Sequence, residues 1–139
     1  MNEEELVQIA KHFDMDPEDI TQVDDDVYGL PVLDIDGGKY LVGRDGDIQC
    51  AAIEAIQEAF YETPSAFAAW ALFDAMPDCI SFESVQEMVS NGTDKLIKEL
   101  VDIDILADVC IRSDGYGPYL AHYDYEEVEV GNLLLYRVD

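Results

Sequence analysis

The chain has 139 residues, with 32 acids against 7 bases and a formal net charge of -25. Such a balance excludes direct binding of nucleic acid or an anionic membrane surface, both of which need Lys and Arg. Hydrophobic residues at 49% still allow one folded domain, spanning 1–139, that tolerates its own repulsion and gains stability as salt screens the acids.

Residues 3 to 13 predict a short helix. Leu6, Ile9, Ala10 and Phe13 share one face, and Glu3, Glu4 and Glu5 suit the positive end of the helix dipole. The segment 14–26 then carries Asp14, Asp16, Glu18, Asp19, Asp24, Asp25 and Asp26 with no base among them. Asp16-Pro17 reads as a cap followed by proline at the first helical position, with Ile20 and Val23 as anchors.

A hairpin is expected over 27–43, turning at Asp36-Gly37-Gly38, with Pro31 marking an edge or a bulge. A helix follows over about 47–61, with Ile48, Ala52, Ile56, Ala59 and Phe60 inward. Thr63-Pro64 starts a further helix, and residues 65 to 76 are apolar almost all round. Such a helix is expected at the centre of the core, with Phe67, Trp70 and Phe73 buried, and it is too short to span a bilayer. Ser81 or Phe82 opens the next helix and Asn91-Gly92 stops it. Thr93 caps a helix carrying Leu96, Ile97, Leu100 and Val101, and another follows over about 103–112. The tail turns at 113–118 and predicts a β-meander: Tyr119–Tyr123, Glu127–Val130 and Asn132–Val138.

The fold class expected is therefore α+β. A small antiparallel sheet, made of an N-terminal hairpin and a C-terminal meander, packs against several short helices. Cys50, Cys79 and Cys110 are odd in number and sit in apolar helical contexts, which reads as buried thiols in a reducing compartment. The acidic N-terminus is not a signal peptide and no apolar run reaches 18 residues, so a cytoplasmic protein is expected.

No catalytic motif is visible. Asp34/Asp36, Asp45/Asp47 and Asp102/Asp104 have the spacing of oxygen ligands, but none completes a calcium loop, and they read as turns, caps and exposed faces. With only His12 and His122, and no Cys or His at ligand spacing, zinc is not expected. The chain is read as a binding protein with no enzyme activity, no cofactor and no metal.

The binding residues expected are the acids of 14–26 and a second group in the tail: Asp124, Glu126, Glu127 and Glu129. Tyrosines also cluster there, at Tyr116, Tyr119, Tyr123, Tyr125 and Tyr136. Aromatic anchors with steering charge suit a protein–protein contact, while Tyr equally suits cross-strand packing. Tyr116 and Tyr125, placed in turns, are the pair expected to be exposed. Monomer and homodimer are both compatible with the pattern. High-salt solubility is the plain alternative explanation of the acidity.

The run Asp114-Gly115-Tyr116-Gly117-Pro118-Tyr119-Leu120-Ala121-His122-Tyr123-Asp124, with Tyr136-Arg137 near the end, resembles a group of small acidic proteins of phages and mobile elements. Their tail pattern is roughly Asp-Gly-Arg-Gly-x-Phe-Leu-x-x-Tyr-Asp-Gly-x-Glu, ending Tyr-Arg-x-Asn. Tyr40-Leu41-Val42 before an acid-capped helix and the apolar stretch Phe67–Phe73 are also similar, so the likeness covers about 100 residues. This chain departs from the pattern at Tyr116, Tyr125 and Asp139, which stand for arginine, glycine and asparagine. The resemblance implies a phage or plasmid setting and an α+β fold, and carries over no active site. With the charge, it leads to the expectation of an inhibitor of a host restriction or CRISPR system that mimics DNA. The alternative is an acidic module that binds a basic partner without DNA-like geometry.

Overall fold

The computed structural model describes every residue except Met1, Asp24 and Asp25. The fold is α+β, and the chain divides into two compact units, 1–52 with 116–139 and 53–115.

The first unit is built on an antiparallel five-stranded sheet in the order β1-β2-β3-β5-β4. The strands are β1 (Thr21–Gln22), β2 (Val32–Ile35), β3 (Gly38–Gly43), β4 (Val128–Val130) and β5 (Leu133–Arg137). β2 and β3 turn through Asp36 and Gly37, both at positive φ (49° and 81°), the requirement of a two-residue type I′ turn. The hairpin expected over 27–43 is shorter. Val27 and Leu30 exchange backbone hydrogen bonds around Tyr28 and Gly29, also both at positive φ, and close a separate small turn. The two-residue β1, too short to announce itself in the sequence, covers the outer side of β2, so β2 is not an edge strand.

One sheet face presents Leu33, Ile35, Val42, Val130, Leu133 and Leu135 to Ile9 and Ala10 of α1 (Glu3–His12) and to Ile20. The other aligns Val32, Leu41 and Tyr136 across β2, β3 and β5, all buried. Gly43 lies on that face, where an added Cβ would come within 3.1 Å of Ile48. Burial on both sides explains the unbroken apolar run Leu133-Leu134-Leu135. Asn2 and Glu5 cap α1 reciprocally, and Arg44 pairs with Glu5 at 3.1 Å.

The expected strand Tyr119–Tyr123 does not form. Gly117–Leu120 is a single helical turn, α7, with Pro118 at its start. Pro118 presets the helical φ there and offers no N–H to a strand ladder. The meander is thus a two-strand hairpin, β4–β5, turned by Gly131 at φ 59°.

The second unit is helical. α2 (Asp45–Glu62) begins in the first unit and ends in this one. A 3-10 turn (Pro64–Ala66), α3 (Ala69–Asp74), α4 (Phe82–Asn91), α5 (Asp94–Leu100) and α6 (Ile103–Asp114) follow. Gly92, left-handed at φ 62°, stops α4, and Asp102 caps α6 by accepting from the N–H groups of Asp104 and Ile105. The continuous central helix expected over 65–76 is replaced by the 3-10 turn, an extended Phe67-Ala68 link and the short α3. Within α3 only Ala71 and Leu72 are buried, while Trp70 is 42% and Phe73 36% exposed. An all-apolar run has no periodicity from which to read the break or the exposed face. Cys110 is buried, but Cys50 and Cys79 are exposed, against the expectation for all three. No helix of the described residues is long and apolar enough to cross a membrane.

Candidate functional site: two acidic edges of one sheet

The first acidic segment begins as a helix stop. The Asp14 N–H donates to Lys11 O and the Met15 N–H to Ala10 O, with Asp14 left-handed at φ 54°. These are the paired bonds of a Schellman ending, with Asp14 in the place glycine usually takes. Partly buried Met15 packs against the core cluster that contains Ala10. Pro17–Asp19 then form a 3-10 turn, and buried Ile20 fixes it to the sheet. Asp16 occupies the cap position without a side-chain capping bond. Asp14, Asp16, Glu18, Asp19 and Asp26 are all exposed. Asp24 and Asp25 lie outside the described residues.

The second segment leaves α7 and folds back on it. The Tyr125 N–H donates to Ala121 O at 2.7 Å, and Asp124 Oδ1 accepts from the Glu126 N–H at 3.0 Å. Tyr125 is left-handed at φ 59°, and its carbonyl packs where a side chain on Gly117 would stand. The Tyr123 N–H donates to Arg137 O, and the Arg137 guanidinium lies over the Tyr123 ring, 3.8 Å from its centre. Tyr123 and Tyr125 are both well exposed beside Asp124, Glu126, Glu127 and Glu129, which are exposed too.

Tyr116 departs from expectation. It is half-buried, and burial first, then the charges of Asp45 and Glu127, raise its pKa above the usual tyrosine value. Tyr136 is fully buried and donates its hydroxyl to Glu127 Oε1. Burial, then that hydrogen bond and the Glu127 charge, push its pKa far up and keep it neutral. Tyr116 therefore belongs to the packing of this corner. The exposed aromatic pair is Tyr123 with Tyr125. Tyr123 and His122, both expected in a strand, are exposed on the turn that follows α7.

These two segments join opposite edges of the sheet, one leading into β1 and the other into β4. Three strands separate those edges, so at the usual strand spacing they stand roughly 19 Å apart. The acidity does not end there. The first unit has 19 acids against 4 bases, net -15, and the second has 13 against 3, net -10. Every described carboxylate except Glu5, Asp34 and Asp94 is exposed.

The spaced pairs are structural. Asp36 occupies the β2–β3 turn, Asp45 and Asp47 lie in the first turn of α2, and Asp102 caps α6. Among the described residues no group of three or more His, Cys, Asp or Glu is placed to hold a metal ion. What the arrangement offers chemically is an extended field of solvated carboxylates with two exposed tyrosines on one edge. No family model, curated protein or solved structure matches the chain.

Proposed function

We propose that this protein is an inhibitor encoded by a phage or mobile element, acting in the host cytoplasm. In this reading it occupies the basic nucleic-acid channel of a restriction or CRISPR complex in place of DNA. The observation that carries the reading is the exposure of nearly all the described carboxylates over both units. A charge of -25 equals that of about 12 base pairs of duplex. Carboxylates held out in water attract a basic channel as phosphates do and speed encounter with it. The likeness of the tail to small acidic phage proteins supplies the biological setting.

A second reading is an acidic module that binds a basic protein surface without copying duplex geometry. Tyr123 and Tyr125, exposed among the acids of the β4 edge, favour it, since aromatic anchors have no counterpart on a phosphate backbone.

Competition separates the two. Purified restriction and CRISPR effector complexes are screened for binding, and duplex DNA is titrated against each complex formed. Displacement by DNA, with affinity falling steeply as salt rises, is the outcome expected of a mimic. Binding that DNA leaves intact selects the second reading, and binding insensitive to salt defeats both.

A further inference from the structure

The second unit carries a feature that solvated charge does not explain. Trp70, Phe73 and Asp74 stand at i, i+3 and i+4 on the outward side of α3, while Ala71, Leu72, Ala75 and Met76 face inward and are buried. The Phe73 ring meets Phe82, at the start of α4, edge to face with centroids 5.5 Å apart. Trp70, Phe73 and Phe82 remain 42%, 36% and 41% exposed. Side chains of this kind bury 150–250 Å² each, so the three leave roughly 200–300 Å² of aromatic surface in water. The area is modest, and it is the setting that points to a contact: exposed aromatic side chains rimmed by carboxylates suit a protein–protein surface.

Its surroundings select the occupant. Exposed Asp74, Asp78, Glu83 and Glu87 lie on the same two helices and the link between them. From Asp45 to Asp94 the chain contains ten acids and not one Lys, Arg or His. A second copy of this unit would bring net -10 against net -10. Nucleic acid and anionic lipid meet the same repulsion. A protein segment with apolar anchors flanked by Lys or Arg matches both the aromatic centre and the acidic rim, and its cations can stack on the Trp70 ring.

We infer that Trp70, Phe73 and Phe82 form a docking site for a basic amphipathic helix of a partner protein, whose apolar side chains cover the aromatic patch while its cations meet Asp74 and Glu83. This deepens the reading of a basic partner by naming the kind of segment recognised. Its failure is distinguishable from failure of that reading, because competition with DNA reports on the target's channel and not on this patch.

Trp70 is the single tryptophan of the chain, so its fluorescence reports the patch directly. The full-length protein is titrated with three synthetic peptides of one length. One is an amphipathic Lys/Leu helix, the second keeps the Lys with Ser in place of Leu, and the third keeps the Leu with Glu in place of Lys. The Lys/Leu peptide is expected to shift Trp70 emission to the blue and to bind at least tenfold more tightly than either other peptide. Phe73→Ser or Phe82→Ser is expected to weaken it tenfold or more. The surface variant Asp74→Asn/Glu83→Gln, which leaves the apolar packing alone, is expected to weaken it several-fold at low salt and not at high salt. Absence of a blue shift, equal binding of the Lys/Ser peptide, or undiminished binding by the variants would overturn the inference. So would a dimer in sedimentation that Phe82→Ser dissolves, since a second copy would then be the occupant.

Discussion

Tyr136 donates its hydroxyl to the carboxylate of Glu127 across the β4–β5 corner, so the most buried phenol of the tail is tied to one of its exposed acids. The bond holds the acidic loop to the sheet and fixes the neutral form of the tyrosine. Tyr136 has a raised pKa in the folded protein, with burial the leading cause and Glu127 the next. Its contribution is present in full below the ordinary tyrosine pKa and is lost as pH rises beyond it, because the unfolded chain ionises there and the folded one does not. Tyr136→Phe is therefore expected to cost about 1–2 kcal/mol at neutral pH, where it removes a hydrogen bond to a charged acceptor. It should also flatten the fall in stability above pH 10. Urea unfolding at neutral pH and at pH 10–11 measures both effects, and an unchanged alkaline slope would count against the tie.

Gly117 and Gly46 are predicted to respond in opposite directions to the same substitution. A Cβ on Gly117 collides with the carbonyl of Tyr125, a residue whose N–H is fixed by its bond to Ala121 O, so Gly117→Ala is expected to destabilise by about 1–3 kcal/mol and to loosen the acidic loop. Gly46 lies in the first turn of α2 with open space around it, so Gly46→Ala is expected to stabilise by about 0.5–1 kcal/mol. Thermal unfolding of the two variants side by side checks the pair.

The cysteines give a direct test of burial. Cys50 and Cys79 are exposed and Cys110 is buried. In native protein two thiols are expected to react with an aromatic disulfide reagent within minutes. The third should react only at the rate of opening of the second unit, or at once in denaturant. Three fast thiols would contradict the placement of Cys110.

Cys50 also illustrates what the sequence makes legible. The buried stripe of α2 runs Ile48, Ala51, Ala52, Ala55, Ile56 and Phe60, and Cys50 falls two residues from its start, on the far side of a 3.6-residue repeat. Spacing alone places Cys50 on the exposed side, whereas its residue type suggests burial. Elements with clear punctuation emerged as expected: α1 with its acidic first turn, the Asp36-Gly37 turn, α4 stopped by Gly92, and α6. Where tertiary packing decides, residue type misleads. Tyr119 to Tyr123 has strand-like composition, yet Pro118 and the packing of Leu120 and Ala121 make it a helical turn and a loop. The exposed acids of 14–19 were legible because nothing apolar competes for them. The separation of the two acidic segments to opposite sheet edges was not, since it follows from the order in which β1 and β4 join the sheet.

A net charge of -25, with exposed acids on both units, makes salt a stabiliser of this fold. The midpoint of thermal unfolding is expected to rise by several degrees between 0.02 and 0.5 M NaCl. A few degrees correspond to about 1 kcal/mol for a chain of this size. Most of the rise should occur below about 0.15 M, where the screening length shortens from tens of Å to about 8 Å. A protein with balanced charge would give a flat profile, so a flat profile would show that local ion pairs such as Arg44–Glu5 outweigh the general repulsion.

The two edges can be neutralised separately. One variant carries Asp14→Asn, Asp16→Asn and Asp19→Asn, and the other Asp124→Asn, Glu126→Gln and Glu129→Gln. Glu127 is left intact because it serves Tyr136. A basic channel that takes this protein as it takes DNA would meet charge over a width larger than one edge. Each variant is then expected to slow association by about three- to tenfold at low salt, with the two effects multiplying when combined. A flat, one-sided contact would respond to one variant and ignore the other. If only the β4 edge matters, Tyr125→Ala should add a loss in dissociation rate, because an aromatic anchor acts on residence time while rim charge acts on encounter. Measuring association and dissociation rates for the three variants against one target therefore assigns the interface to an edge or to the breadth of the unit. A target whose kinetics are the same for all three would place the contact on neither edge.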